Sequence, residues 1–282
     1  MNYRHLFHAG NFADLMKHAV LVTLLTALSR KDKPWRYYDT HAGSGLYDLT
    51  ADAAVRTGEA AAGIGRLSQT TLAPPEPVAT LLRIVAAANP GLPPAALPRY
   101  YPGSPLIAAA LARAQDRLVL ADRHPEEAAM LRRALQHDKR IAVHERDGYE
   151  MVRALVPPPE RRGLVLMDPP FERDDEFAVL ADTCLAAQAR WPDGVYVLWY
   201  PVKEPAPVAR LHRRLQHASQ RPVVVAELSV APPSPALLTA SGLAILNPPW
   251  QTAQTIAAAL DWLRHQLAPE QGQASVTWLL KE

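Results

Sequence analysis

Residues Leu164 to Glu172 read LVLMDPPFE. An apolar run ends on a carboxylate, Asp168; two prolines follow, then the phenyl ring of Phe171. Pro169 and Pro170 offer carbonyl acceptors but no amide donors, and their fixed φ stiffens the loop. The product is a rigid, acceptor-rich lip beside an aromatic face. An exocyclic amine on a nucleobase has hydrogens to give and a flat ring to stack, so this set of groups matches it. A plain proline stop after a strand would use the same residues without chemistry.

A second segment, YYDTHAGSGLY (Tyr37 to Tyr47), carries Gly43 and Gly45 just after an apolar run. Glycine there lets the backbone turn sharply and approach a ligand. A dinucleotide fingerprint needs a third glycine, where Asp48 stands instead, and the chain has no Gly-Lys-Ser/Thr phosphate loop. The segment is equally compatible with a tight turn alone. Carboxylates close or follow four apolar runs: Asp39, Asp122, Asp147 and Asp168. Ligands of open α/β sheets bind outside the carboxyl ends of the strands, so the four acids point at one crevice.

The elements that must position them alternate. Strands are expected at 35–39, 117–122, 140–145, 163–168, 194–200, 223–230, 242–247 and 274–280. Helices are expected at 104–114, 125–137, 148–155, 176–190, 204–216 and 252–267. That order predicts an α/β fold, with a mostly parallel sheet covered on both faces. Residues 51–100 break the alternation with Ala-rich helical windows separated by APPEP and NPGLPP. They read as a small helical insertion after the first strand, leaving 1–50 and 101–282 as the main domain. NPPW at 247–250 mimics the DPPF lip, but it follows too many strands and reads as a structural turn.

With 282 residues, 49% hydrophobic and 21% charged, the chain supports one large core with an inserted lobe. Its net charge of +2 announces no partner. Residues 1–36, however, hold six Lys/Arg against two Asp, with Tyr3 and Phe7 interleaved. This stretch reads either as a basic arm facing RNA or as a solvated face. Arg132, Arg133, Lys139 and Arg140 form a second basic group with the same two readings. His5 and His8 have no evident carboxylate partner nearby in sequence, so no metal site is assigned. The apolar run from Ala19 is too short to span a bilayer, and the start does not suit a signal peptide. The single cysteine, Cys184, fits a reducing, cytoplasmic setting and lacks activating neighbours for thiol catalysis.

Taken together, YRHLFHAGNFADLMKHAV, DTHAGSG, RTGE, RYYPGSPL, DPPFE, TASGLAILNPPW and ASVTWLL resemble the RlmJ family of 23S ribosomal RNA adenine-N6 methyltransferases. The resemblance runs from residue 3 nearly to the end and is weakest in the proline-rich insertion. It implies a Rossmann-like class I methyltransferase sheet, S-adenosylmethionine as cofactor, and one adenine of 23S ribosomal RNA, adenine 2030, as target. Carried over by position, His18, His41, Ser104, Asp122, Asp147, Gly148 and Asp168 bind the cofactor, and Asp168 is catalytic. Tyr3, His5, Lys17, Pro169 and Phe171 engage the RNA. Asp122 stands where the family commonly has Glu, and Phe171 where Tyr is common.

DPPF alone fits other amine targets: DNA adenine, guanine N2 or a protein glutamine. A non-catalytic RNA-binding protein on the same scaffold is the alternative from another class. Nothing in the sequence calls for a metal, a membrane or a protein partner, and a monomer is expected.

Overall fold

The computed structural model describes residues 5–93, 95–232, 234 and 237–281. Eight strands build the main sheet: β1 (Arg36–Asp39), β4 (Arg117–Asp122), β5 (Ile141–Glu145), β6 (Gly163–Met167), β7 (Val195–Pro201), β8 (Val223–Ser229), β9 (Ala240–Leu246) and β10 (Gln273–Leu280). Their spatial order is β10-β8-β9-β7-β6-β1-β4-β5. From β7 to β5 neighbouring strands are parallel; β9, β8 and β10 pair antiparallel. The chain leaves β1 toward β4 and β5, then returns to the other side of β1 as β6. The order reverses there, and an open α/β sheet has its crevice above such a point.

Side chains alternate between the two faces. Tyr37, Leu118, Leu120, Leu164 and Leu166 pack into one apolar cluster, and Tyr38, Val119, Ala121, Val165 and Met167 into the other. The first face is covered by α1 (Phe12–Ser29), α5 (Ser104–Leu111) and α10 (Thr252–Leu267), with α4 (Glu76–Ala87) packed on α1, and the second by α7 (Gly148–Leu155), α8 (Glu176–Arg190) and α9 (Pro205–Ala218). The helix α6 (Pro125–Leu135) follows β4.

The apolar run from Ala19 is only the latter part of α1. The whole 18-residue helix is long and apolar enough to cross a membrane, but 83% of it is buried inside the fold. The basic segment is therefore not one exposed arm. Lys17 is buried within α1, whereas Arg30, Lys31 and Lys33 lie exposed before β1, at the opposite end of the sheet from the crevice.

The glycine loop leads not into a helix but into β2 (Leu46–Asp48), which pairs antiparallel with β3 (Tyr100–Pro102). Residues 51–100 leave and return through this ribbon. On return the Gly103 amide donates to the Gly45 carbonyl at 2.7 Å, and α5 begins at once. The insertion thus interrupts a strand-to-helix connection and then restores it. It carries α2 (Asp52–Thr57), a π turn, α3 (Arg66–Ser68) and α4, and its Ile64, Leu67, Val78, Leu81 and Val85 join the core beside α1.

NPPW lies beyond the end of β9, which runs against β7, so it sits at the far end of the sheet. Asn247 Nδ2 donates there to the Gly194 carbonyl, before β7. In the second basic group, Arg140 is bound to Asp138 and to the carbonyls of Ala109 and Ala112, and Arg132 pairs with Glu145. Cys184 is buried in α8, and burial pushes its thiol well above the usual range.

Candidate active site

Two cavities open above the carboxyl ends of β1, β6 and β7, and they share His5, Lys17, Asp168 and Pro170. The smaller lies over the glycine loop and also takes in His18, His41, Gly43, Ser104 and Asp122. The larger, about 940 Å³, extends over Pro169, Phe171, Phe177 and Trp199 toward α9.

The junction is built on α1. Asn11 caps the helix, its side chain accepting from the Asp14 amide. Asp14, Lys17 and His18 follow at the i, i+3, i+4 spacing that puts side chains on one helical face. The Lys17 ammonium lies 2.9 Å from Asp14 Oδ1 and 2.5 Å from Asp168 Oδ2. Asp14 Oδ2 also accepts from the Gly10 amide and meets His5 Nε2, both at 2.9 Å. Burial works against each of these charges. The adjacent His5 and Lys17 nevertheless hold the Asp14 carboxyl well below the usual carboxylate range. Asp14 and Asp168 likewise hold the Lys17 ammonium well above its own.

His18 is fully buried, and burial drives its imidazole down to about 3, so it is neutral. Its Nδ1 lies 2.8 Å from the hydroxyl of Tyr101, whose phenol burial keeps protonated. With that hydroxyl donating to Nδ1, the ring proton sits on Nε2. Among the described residues Nε2 is buried without a hydrogen-bond partner, and His18 lines the smaller cavity. A buried unpaired donor is costly, and an acceptor on a bound ligand would satisfy it. The insertion's return strand thus supplies the hydroxyl that meets His18.

Above β1, Asp39 is fully buried and accepts from the Tyr37 and Ser104 hydroxyls, each at 2.7 Å. Burial, only partly offset by these bonds, pushes its carboxyl up to about 6. Ser104 therefore turns its hydroxyl toward Asp39. Gly43 has φ +59°, and a Cβ on it would come within 2.1 Å of the Tyr47 hydroxyl, so only glycine fits the loop. Its amide donates to Asp122 Oδ2, and the His124 amide donates to Oδ1, both at 2.8 Å. The two bonds fix the carboxylate against the cavity.

Asp147 caps α7 by accepting from the Glu150 amide at 3.0 Å. Asp147 and Gly148 do not line either cavity. Gly148 packs on the Thr40 carbonyl, which a Cβ would approach to 2.0 Å. Asp147 still acts on His41, as do Asp168 and Asp122: burial lowers that imidazole and the three carboxylates resist the change. Tyr3 lies outside the described residues. His5, Lys17, Pro169 and Phe171 all line the larger cavity.

Phe171 has φ +50°, a left-handed conformation that a bulky residue adopts only at a cost of about 1–3 kcal/mol. Edge contacts with Phe177 at 4.8 Å and Trp199 at 5.8 Å between ring centroids hold it there. Among the described residues, no three His, Cys, Asp or Glu side chains are grouped to hold a metal.

Residues 32–280 match the family model described as "RsmJ: Ribosomal RNA large subunit methyltransferase D, RlmJ". The chain belongs to that family. Across its full length it is 40% identical to the whole of the protein named ribosomal RNA large subunit methyltransferase J from Escherichia coli (strain K12). The protein of the same name from Haemophilus influenzae matches it equally, also over both full lengths. Among solved structures, protein LPL1258 from Legionella pneumophila superimposes with a TM-score of 0.87 at 34% identity, covering 96% of this chain and 98% of that one. The α/β sheet and its family assignment thus rest on independent observations.

S-Adenosylmethionine carries a carboxylate, ribose hydroxyls and an adenine amine, and the residues of the smaller cavity suit the first two. The unpaired His18 Nε2 suits the carboxylate, and the backbone-held Asp122 suits the hydroxyls. The smaller cavity encloses about 50 Å³, space for a water or two.

Three groups of this site had no role assigned from sequence, although two of them, Asp14 and Tyr101, lie within the segments that carry the family resemblance. Asp14 could have been found from its helical spacing to Lys17 and His18. Tyr101 and Trp199 had no such signal, because nothing local says which way their rings face.

Proposed function

We propose that this chain is an S-adenosylmethionine-dependent methyltransferase acting on N6 of one adenine of 23S ribosomal RNA, adenine 2030. The observation that carries this reading is the shared junction. Asp168 and Pro170 belong both to the cofactor-type pocket and to an aromatic cavity large enough for an extruded base. The bound cofactor supplies an electrophilic methyl group on a sulfonium. Everything else falls to the protein.

Adenine N6 is a poor nucleophile because its lone pair is shared with the ring. Lys17 occupies Asp168 Oδ2, which leaves Oδ1 to accept one amine hydrogen. The Pro169 carbonyl can accept the other. Two acceptors out of the ring plane draw the nitrogen toward a tetrahedral shape and free its lone pair. Holding the amine in line then supplies most of the acceleration. Once methylated, the amine has one proton to shed, and Asp168 is placed to take it or pass it to water. Phe171, braced by Phe177 and Trp199, takes the face of the unstacked base. His18, His41, Ser104 and Asp122 line the cofactor side, and Asp147 and Gly148 are assigned to it by the family resemblance alone. The setting is cytoplasmic, where ribosomal RNA is found.

The test is transfer of a labelled methyl group to purified 23S RNA, followed by nucleoside identification and mapping. A single N6-methyladenosine at the proposed position is expected. Label in guanosine, or in several adenosines, overturns the reading.

A further inference from the structure

We propose that the outer part of the larger cavity is a subsite for the nucleotide flanking the target adenine, with Lys203 and Arg210 gripping its phosphate. This rests on the RNA methyltransferase reading above and extends it to residues that no motif covers. Cavities of roughly 300–1,000 Å³ enclose whole drug-sized ligands, and this one, about 940 Å³, is at the upper end. Its inner end, at Asp168 and Phe171, accounts for a single base. The outer end is walled by α9.

On α9, Pro207, Arg210, Leu211 and Arg214 follow the i, i+3, i+4, i+7 pattern of one helical face, and all four line the cavity. That face offers apolar surface for a base and cations for a phosphate. Three of the cavity's five Lys and Arg side chains are already engaged: Lys17 with Asp14 and Asp168, Arg173 with Asp175, and Arg214 with Asp182. Lys203 and Arg210 are exposed, and neither forms an ion pair with a carboxylate among the described residues. Leu237 and Leu238 face them from the segment before β9. Asp174 and Glu204 line the same cavity, and their charge opposes a phosphate placed near them.

The helix is not free to drift. Its His212 Nε2 lies 2.8 Å from the hydroxyl of the buried Tyr200 on β7, and that hydroxyl donates to Glu227 on β8 at 3.0 Å. Helix and sheet are tied directly behind the proposed subsite.

The experiment measures binding of a fluorescent single-stranded oligonucleotide, with adenine at its centre, across a salt series. The variants are Lys203→Ala, Arg210→Ala and, as a control, Arg213→Ala, which removes a charge from α9 outside the cavity. Each cavity variant should bind about tenfold more weakly, as for a lost hydrogen bond to a charged group. Its log–log salt slope should fall by about 0.7 per cation removed. Arg213→Ala, cofactor affinity by calorimetry, and transfer to free adenosine should not change. Wild-type affinity and slope in both cavity variants, or an equal loss in Arg213→Ala, overturns the subsite while leaving the enzyme reading intact. A wild-type protein that transfers no methyl group to RNA adenine overturns both.

Discussion

Lys17 Nζ donates to Asp168 Oδ2 at 2.5 Å, joining a helix that precedes the first strand to the lip that follows the fourth parallel one. The lysine is 5% exposed and the aspartate 15%. A pair this dry is held by its partners rather than by water, and Asp14 completes it.

Removing the lysine should therefore cost stability as well as activity. Lys17→Met keeps much of the stem but leaves Asp14 and Asp168 without their cation. Breaking a buried pair from one side costs about 3 kcal/mol or more. The unfolding midpoint in urea should drop while the slope of the transition is unchanged. Wild-type stability in this variant would contradict the network.

Asp168→Asn keeps the shape and one acceptor but presents an amide where the amine needs a carboxylate. Methyl transfer to deproteinised 23S RNA should fall by about 10²–10³-fold, the loss typical of a positioned electrostatic group. Cofactor binding should remain measurable by calorimetry. Undiminished transfer would remove Asp168 from its role.

His18→Ala takes away the unpaired Nε2 donor. Cofactor affinity should weaken about tenfold, as for a hydrogen bond to a charged acceptor. Because the imidazole titrates only near 3, its contribution should be flat from pH 6 to 9. A binding isotherm that changed with pH in wild type but not in His18→Ala would show that the ring is charged after all.

Asp39 makes a signed prediction about pH. Its folded value, about 6, exceeds the unfolded 3.8, so between these values the folded state holds more protons. Stability from this group is therefore greatest below pH 4 and declines as pH rises to about 6. Asp39→Asn should gain on wild type over that interval in urea unfolding series. Parallel curves from pH 4 to 7 would refute the shift.

Phe171→Ala should raise the KM for RNA by about tenfold or more, since stacking contributes about 1–3 kcal/mol per base. Phe171→Tyr should leave it nearly unchanged. An alanine variant with wild-type KM would place the base elsewhere.

The eight main strands and the six helices from α5 onward were legible in the sequence to within a few residues. Doubly buried strands are nearly continuous apolar runs, and their helices have a clear 3.6 period. Asp168 and Asp122 were legible because they close strands at one end of a sheet. The role of α1 was not. Counting charges in residues 1–36 suggested a basic face, whereas burial separates Lys17 from Arg30, Lys31 and Lys33. Composition carries no information on which side of a helix meets the core. The β2–β3 ribbon was hidden for a similar reason: three-residue strands have no period to read, and their pairing spans the whole insertion.

Burial of α1 also bears on how the chain is made. The helix precedes in sequence the elements it packs against, α4, α5 and α10, the last of them ending at Leu267. Until those arrive, a nascent chain presents an apolar helix of membrane-spanning length with nothing to cover it. Such surface invites aggregation or capture by targeting machinery. Asp14, Lys17 and His18 interrupt its leading half. The polar side chains that gather at the cavities in the folded protein are thus also the ones that break the apolar surface of the uncovered helix.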